Sequence, residues 1–105
     1  MDNAKKILIV DDEKNVIEIL TKKLRLEGFE VSAAYDGEEA LVKAEIVKPD
    51  LILLDIIMPK LDGISVLKKL KESEDSQNIP IIILSNLYDD KKMAEVLRAG
   101  NTDYL

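Results

Sequence analysis

Acidic side chains follow two short apolar runs of the sequence, and a hydroxyl side chain follows a third. Asp11 and Asp12 come directly after the first run, Asp55 after the second and Ser85 after the third. Crowded carboxylates resist ionisation unless a cation compensates their charge, and oxygen ligands without histidine or cysteine favour a hard ion such as Mg²⁺. A carboxylate beside such an ion can attack a phosphoryl group, and a serine hydroxyl can donate a hydrogen bond to that group. These residues therefore predict phosphoryl transfer chemistry.

The elements that would position these residues are short strands alternating with amphipathic helices. Apolar runs at 7–10, 51–54 and 80–84 are continuous, as in strands buried on both faces of a parallel sheet, and a weaker strand pattern covers 29–34. Helical spacing covers 15–27 and 38–47 and recurs in two later segments. The expected core-facing helical residues are Val16, Ile17, Ile19, Leu20 and Leu24, then Ala40, Leu41, Ala44 and Val47, then Ile64, Leu67 and Leu70, and last Met93, Ala94, Val96 and Leu97.

Capping residues agree with this spacing. Gly28 and Gly100 stand where a left-handed residue ends a helix, and Asp36 precedes Glu39 by three residues, as in a capping box. The order of elements is β-α-β-α-β-α-β-α, and 102–105 begins a fifth strand. Such alternation predicts an α/β doubly wound parallel sheet. With the strand order 2-1-3-4-5, the ends of the first and third strands meet at the switch point, where ligands bind.

Composition narrows the class of protein. The 105 residues fit one domain, and the absence of cysteine and histidine excludes a disulfide scaffold, thiolate or imidazole metal sites and a phosphohistidine. The net charge of −6 argues against direct binding of nucleic acid by this segment. Its start is not a signal peptide, and no apolar stretch approaches the roughly 20 residues of a membrane helix. We expect a soluble, cytoplasmic domain without membrane contact.

Simpler interpretations exist for each residue taken alone. Asp11 or Asp12 could only cap the first helix, because aspartate is a favoured N-cap residue. Ser85 could be a turn residue, and Asp62 could form a turn with Gly63 before the third helix. Asp55 is harder to dismiss, because a lone acid among apolar residues is costly unless it has partners. Their placement at successive strand ends favours the functional interpretation.

Taken together, these residues resemble the CheY-like receiver domain of two-component response regulators. The likeness covers the whole chain in order and spacing, through the segments 7–13, 35–41, 49–55, 58–63, 79–85 and 99–105. It implies a flavodoxin-like, doubly wound sheet of five strands in the order 2-1-3-4-5. It also implies one receiver domain over residues 1–105.

The resemblance assigns roles at the cluster of acids. Asp55 corresponds to the phosphoacceptor, which becomes an aspartyl phosphate by attacking a phosphohistidine on a sensor histidine kinase or phosphotransfer protein. Asp12 corresponds to a direct Mg²⁺ ligand and Asp11 to one acting largely through water. Asp55 itself and the backbone carbonyl of Ile57 complete the protein ligands.

The resemblance further implies a conformational switch that transmits the signal. Ser85 corresponds to the hydroxyl that moves toward the phosphoryl group, and Tyr104 to the aromatic residue whose ring then turns inward. The domain would be a phosphoacceptor in signalling rather than a turnover enzyme. Its output would pass to an attached output domain or to an effector protein.

The likeness stops short of the family pattern at the end of the sequence. Receiver domains place a lysine two residues beyond the position of Leu105, followed by a proline and a fifth helix. We therefore expect a domain truncated before that lysine and without its last helix. Such a chain should be impaired in activation and less stable than a longer version.

Three other functions remain as alternatives. A pseudo-receiver would use this fold for phosphorylation-independent protein interaction, and Asn86, in place of a small residue, leaves that open. A haloacid-dehalogenase-type phosphatase would separate its two acids by one residue, whereas Asp11 and Asp12 are adjacent. A flavin carrier would need a phosphate loop rich in serine, threonine and glycine, where acidic residues stand here.

Overall fold

The computed structural model describes residues 4–55, 57–58, 61–83 and 102–104. Its helices are α1 (Lys14–Leu26), α2 (Gly37–Val47) and α3 (Gly63–Glu72). Its strands are β1 (Lys6–Val10), β2 (Glu30–Ala34), β3 (Leu51–Leu54), β4 (Ile57–Met58), β5 (Leu61–Asp62), β6 (Ile81–Ile83) and β7 (Thr102–Tyr104). Ser85, Asn86, the predicted fourth helix and Gly100 lie outside the described residues.

Five strands form one parallel sheet in the order β2-β1-β3-β6-β7. Because β6 and β7 are the fourth and fifth strands of this sheet along the chain, the predicted order 2-1-3-4-5 is confirmed. Strands β4 and β5 pair with each other in a separate antiparallel ribbon, which the sequence patterns did not predict. The ribbon leads directly from the end of β3 into α3.

The sheet carries an apolar core on each face. On one face α1 packs against the sheet through Ile17, Leu20 and Leu24. On the other face α2 and α3 contribute buried side chains, among them Ala40, Ala44, Val66, Leu67 and Leu70. Helices on both faces make this the predicted doubly wound α/β fold, and they explain why β1 and β3 are continuously apolar.

One helix residue was assigned to the wrong face. Ile19 was expected to face the core, but its side chain is 57% exposed, whereas Ile17 is 3% exposed. A separation of two residues turns the chain by about 200° around a helix axis, so these two side chains cannot share one face. Ile17, Leu20 and Leu24 follow the three- and four-residue spacing that keeps side chains on one side.

The predicted end of α1 is confirmed at Gly28. Its φ is 96°, in the left-handed region that favours glycine. The Gly28 N–H donates to the carbonyl of Arg25 at 3.0 Å, and the Phe29 N–H donates to the carbonyl of Leu24 at 3.1 Å. These two bonds are the Schellman motif, which satisfies carbonyls that the last turn leaves free.

The predicted capping box at the start of α2 is confirmed with a small change. The Glu39 N–H donates to Asp36 Oδ1 at 2.8 Å, and Glu39 Oε1 accepts from the N–H of Tyr35, at 2.6 Å, rather than from that of Asp36. The loop that follows β2 is thereby tied to the first turn of α2.

Among the described residues, no helix has both the length and the apolar character needed to cross a membrane.

Candidate functional site

The sheet places Asp11 and Asp55 next to each other at the ends of two neighbouring strands. Val10 and Leu54 are partners in the register of β1 and β3, and each is followed by one of the two aspartates. The Asp55 N–H donates to the carbonyl of Val10 at 2.9 Å. The Asp11 N–H donates to the carbonyl of Ala34 in β2 at 3.1 Å. Backbone hydrogen bonds to adjacent strands therefore fix where both side chains begin.

Three carboxyl groups converge at this edge of the sheet. Asp11, Asp12 and Asp55 each offer one carboxylate oxygen, and these three oxygens lie within 4.8 Å of one another. Asp11 is buried, with 3% of its surface exposed, whereas Asp12 and Asp55 are half-buried. A set of oxygen donors at these separations could hold a metal ion, and its chemistry suits a hard divalent cation.

Burial and mutual repulsion disturb the ionisation of Asp11. Removal of its carboxyl group from water, which is the largest cause, and the negative charges of Asp55, Asp12 and Glu13 together raise the pKa of Asp11 from 3.8 to about 6. A hydrogen bond from the Glu13 N–H to Asp11 Oδ1, 2.9 Å long, favours the ionised form and limits this rise in the pKa. A cation bound among the three carboxylates would oppose the raising effects. The donor set and its charge therefore fit Mg²⁺.

Neither Asp11 nor Asp12 is the cap of α1. The N-cap residue is Glu13, and its side chain makes no capping hydrogen bond. Asp11 accepts from the Glu13 N–H, and this bond orients the carboxyl group of Asp11. The simpler interpretation of these two acids as helix caps is therefore wrong. Glu13 was not among the predicted site residues, although its place directly after the two aspartates was a signal for it.

Other predicted site residues occupy the same end of the sheet or the segment after β3. Ile57 lies in β4, two residues after Asp55, and is paired with Asp62 of β5. Tyr104 lies in β7, where its register partner is Ile83 of β6. Ile83 is in turn the partner of Leu54, the residue before Asp55, so that Tyr104 belongs to the row of the sheet directly before the acids. The remaining predicted site residue is Ser85, which lies outside the described residues.

Comparison with known proteins identifies the family. The family model of the response regulator receiver domain matches residues 7–105. The alkaline phosphatase synthesis transcriptional regulatory protein PhoP of Bacillus subtilis (strain 168) is 45% identical over 101 residues, which are 96% of this chain and 41% of that protein. The response regulator PleD of Caulobacter vibrioides (strain NA1000 / CB15N) is 39% identical over 100 residues, which are 95% of this chain and 22% of that protein. The chain thus spans less than half the length of these two curated relatives.

Solved structures agree with this family. The structure of the chemotaxis protein CheY4 of Vibrio cholerae, crystallised at low pH, superposes with a TM-score of 0.89 at 31% identity and covers 97% of this chain and 85% of that chain. A CheY-like response regulator receiver domain protein of Methanospirillum hungatei JF-1 gives a TM-score of 0.89 at 29% identity, covering 98% of this chain and 81% of that chain. The chain therefore belongs to the receiver domains of two-component response regulators.

Proposed function

We propose that this domain accepts a phosphoryl group on Asp55 in a Mg²⁺-dependent transfer from a phosphohistidine. The donor would be a sensor histidine kinase or a phosphotransfer protein. The observation that carries this proposal is the convergence of three carboxylate oxygens at the ends of β1 and β3. Asp55 is the half-buried member that follows β3, where an incoming group can reach it.

In this transfer one bond forms and another breaks. A carboxylate oxygen of Asp55 attacks the phosphorus, and the bond from phosphorus to the donor's imidazole nitrogen breaks. The electron pair of that bond stays on the nitrogen, which takes up a proton. Asp11, Asp12, Asp55 and the carbonyl of Ile57 would hold Mg²⁺, which when bound supplies positive charge beside the carboxylates and the phosphoryl oxygens. The hydrogen bond from the Glu13 N–H keeps the carboxyl group of Asp11 oriented for this role.

The signal would leave the site through a second group of residues. Ser85 would donate a hydrogen bond to a phosphoryl oxygen, and Tyr104 would change its position in response. Tyr104 lies in the row of the sheet that contains Leu54, the residue before Asp55, because Tyr104 pairs with Ile83 and Ile83 pairs with Leu54. The domain would thus act as a phosphoacceptor rather than a turnover enzyme, and would pass its state to an output domain or effector protein.

Incubation with acetyl phosphate tests this function. With Mg²⁺ we expect intact-mass spectrometry to show an adduct of one phosphoryl group that is stable in acid and labile in base. A chelator should abolish the adduct, and so should Asp55→Asn. Asp75→Asn replaces an exposed aspartate after α3 and should leave it unchanged. An unmodified wild-type chain, or an adduct that survives Asp55→Asn, would count against the proposal.

A further inference from the structure

The outer edge of β2 presents a short row of backbone groups. β2 is the first strand of the sheet and pairs only with β1 within the described residues. The Glu30 N–H donates to the carbonyl of Lys5 at 2.9 Å, and the carbonyl of Ala34 accepts from the Asp11 N–H at 3.1 Å. Residues 30 and 34 therefore direct their backbone groups toward β1. Because these directions alternate along a parallel strand, Val31 and Ala33 direct theirs outward.

Side chains of α2 form hydrogen bonds with the backbone groups at only one half of this edge. Lys43 Nζ donates to the carbonyl of Ala33, and Glu39 Oε1 accepts from the N–H of Tyr35 at 2.6 Å. Within the part of the chain that the structure describes, no partner satisfies the N–H and C=O of Val31 or the N–H of Ala33. Three backbone groups in sequence remain available to an added strand, and such open edges are templates for strand addition.

A groove lies beside this open half of the edge. It is formed between α1 and β2 and has a volume of about 490 Å³. Its apolar lining includes Ile17, Val31 and Ala33. A groove of this size can take up side chains of a bound peptide, whose backbone would pair with the edge. The arrangement therefore joins backbone recognition to a pocket for apolar side chains.

The charged residues of the groove are mainly basic. Lys22 and Arg25 both line it, and Glu18 is its acidic member. Neither basic side chain has an ion pair or a hydrogen bond within the described residues. This local excess of positive charge contrasts with the net charge of −6 of the whole chain. A partner with acidic side chains would match it, and such matching favours one partner over others.

We propose that the outer edge of β2 and the groove beside it bind an extended acidic segment of a partner protein, which adds to the sheet as a further strand. Valine-like side chains of the segment would enter the apolar part of the groove, and its carboxylates would face Lys22 and Arg25. A second copy of this chain fits less well. A two-fold axis perpendicular to the sheet would pair two β2 strands and place the basic residues of both copies on the same side of the junction, where they repel.

Binding of designed peptides tests this assignment. The probe is a dye-labelled peptide with valine at one position and glutamate or aspartate two residues before and after it, so that these side chains share one face of the added strand. Its binding is followed by fluorescence anisotropy. We expect it to bind at least about ten-fold more tightly than the same peptide with lysine in place of the acids. Methylation of the amide nitrogens that face the edge should weaken the acidic peptide by a similar factor, because they can then no longer donate.

Variants of the domain make the test specific. Joint replacement by Lys22→Glu and Arg25→Glu should weaken the acidic peptide at least about ten-fold. Lys23→Glu, an exposed change on α1 outside the groove, should alter the affinity by less than about two-fold. Ala33→Pro should prevent binding, because it removes an outward N–H that an edge strand does not need for folding. Thermal unfolding of each variant checks that the fold persists.

Several results would overturn the assignment. They are equal affinity for the acidic and lysine peptides, no effect of the Lys22 and Arg25 replacements, and no binding of any peptide at millimolar concentration. A dimer detected by sedimentation that Ala33→Pro abolishes would assign the edge to a second copy instead.

Discussion

Asp11→Asn is expected to stabilise the metal-free domain at neutral pH. Asp11 is almost fully buried, and burial together with neighbouring acids raises its pKa from 3.8 to about 6. Its ionisation therefore costs the folded state free energy that the unfolded state does not lose. A pKa shift of this size corresponds to at most about 3 kcal/mol in the free energy of unfolding. We expect the neutral amide of Asp11→Asn to increase this free energy by about 1–3 kcal/mol. The asparagine oxygen can still accept the hydrogen bond from the Glu13 N–H.

The stabilisation by Asp11→Asn should increase as the pH rises. Below about pH 3.8 the carboxyl group of Asp11 is protonated in both the folded and the unfolded states, and the variant gains little. As the pH rises through the window up to about 6, the unfolded state releases its proton first, and the wild-type domain loses stability relative to the variant. Urea unfolding in the presence of a chelator, at several pH values, measures this difference. Asp75→Asn, an exposed control, should show no comparable window.

Mg²⁺ should reduce or reverse the difference in stability between the two proteins. A ligand present at about 100 times its Kd stabilises the folded state that binds it by about 2.7 kcal/mol. The wild-type domain should gain stability from Mg²⁺, whereas Asp11→Asn lacks one of the carboxylates and should gain much less. An equal gain in both proteins, or a wild-type domain that is more stable than the variant without metal at pH 7.5, would contradict this description of the site.

Leu54→Ala should destabilise the domain by about 2–5 kcal/mol. Leu54 has no exposed surface and lies in the core cluster between the sheet and the α2–α3 face. It also precedes Asp55 directly, and its register partners are Val10 and Ile83. The shorter side chain would leave a cavity under the acids that the packed neighbours can fill only in part. The denaturant midpoint, at an unchanged slope, measures the loss.

Val42→Ala provides the matched control for this core substitution. Val42 lies on α2 with 52% of its side chain exposed, so that its truncation should change the free energy of unfolding by less than about 0.5 kcal/mol. Similar losses in the free energy of unfolding for Leu54→Ala and Val42→Ala would show that the side chain of Leu54 is not tightly packed beneath Asp55.

The strands that carry the site could be predicted from the sequence because strands that are buried on both faces of a sheet consist almost entirely of apolar residues. The runs that became β1 and β3 are apolar at every core position, and the acids after them mark the strand ends. Gly28 and the pair Asp36 and Glu39 were predictable for a similar reason, since each has a specific backbone role at a helix end. Each of these signals lies within a few residues of the strand or helix end that it specifies.

Other features depended on contacts that no local pattern contains. Ile19 is apolar and lies within a helical stripe, yet α1 has only one face on the sheet, and that face is taken by Ile17 and its partners. The ribbon of β4 and β5 consists of two-residue strands, too short for an alternation to be recognised. The raised pKa of Asp11 required its burial and its distance from Asp55, which exist only once β1 and β3 are neighbours.

The position of the phosphoryl group shows whether Asp55 is the phosphoacceptor. The domain is incubated with acetyl phosphate and Mg²⁺, the acyl phosphate is reduced with borohydride, and the modified residue is found by tandem mass spectrometry of its peptides. We predict one modified residue per chain, Asp55, and none when a chelator replaces Mg²⁺. Modification at another carboxylate, or at Asp55 to the same extent without a divalent cation, would contradict the account of Asp11, Asp12 and Asp55 as one metal-assisted phosphoacceptor site.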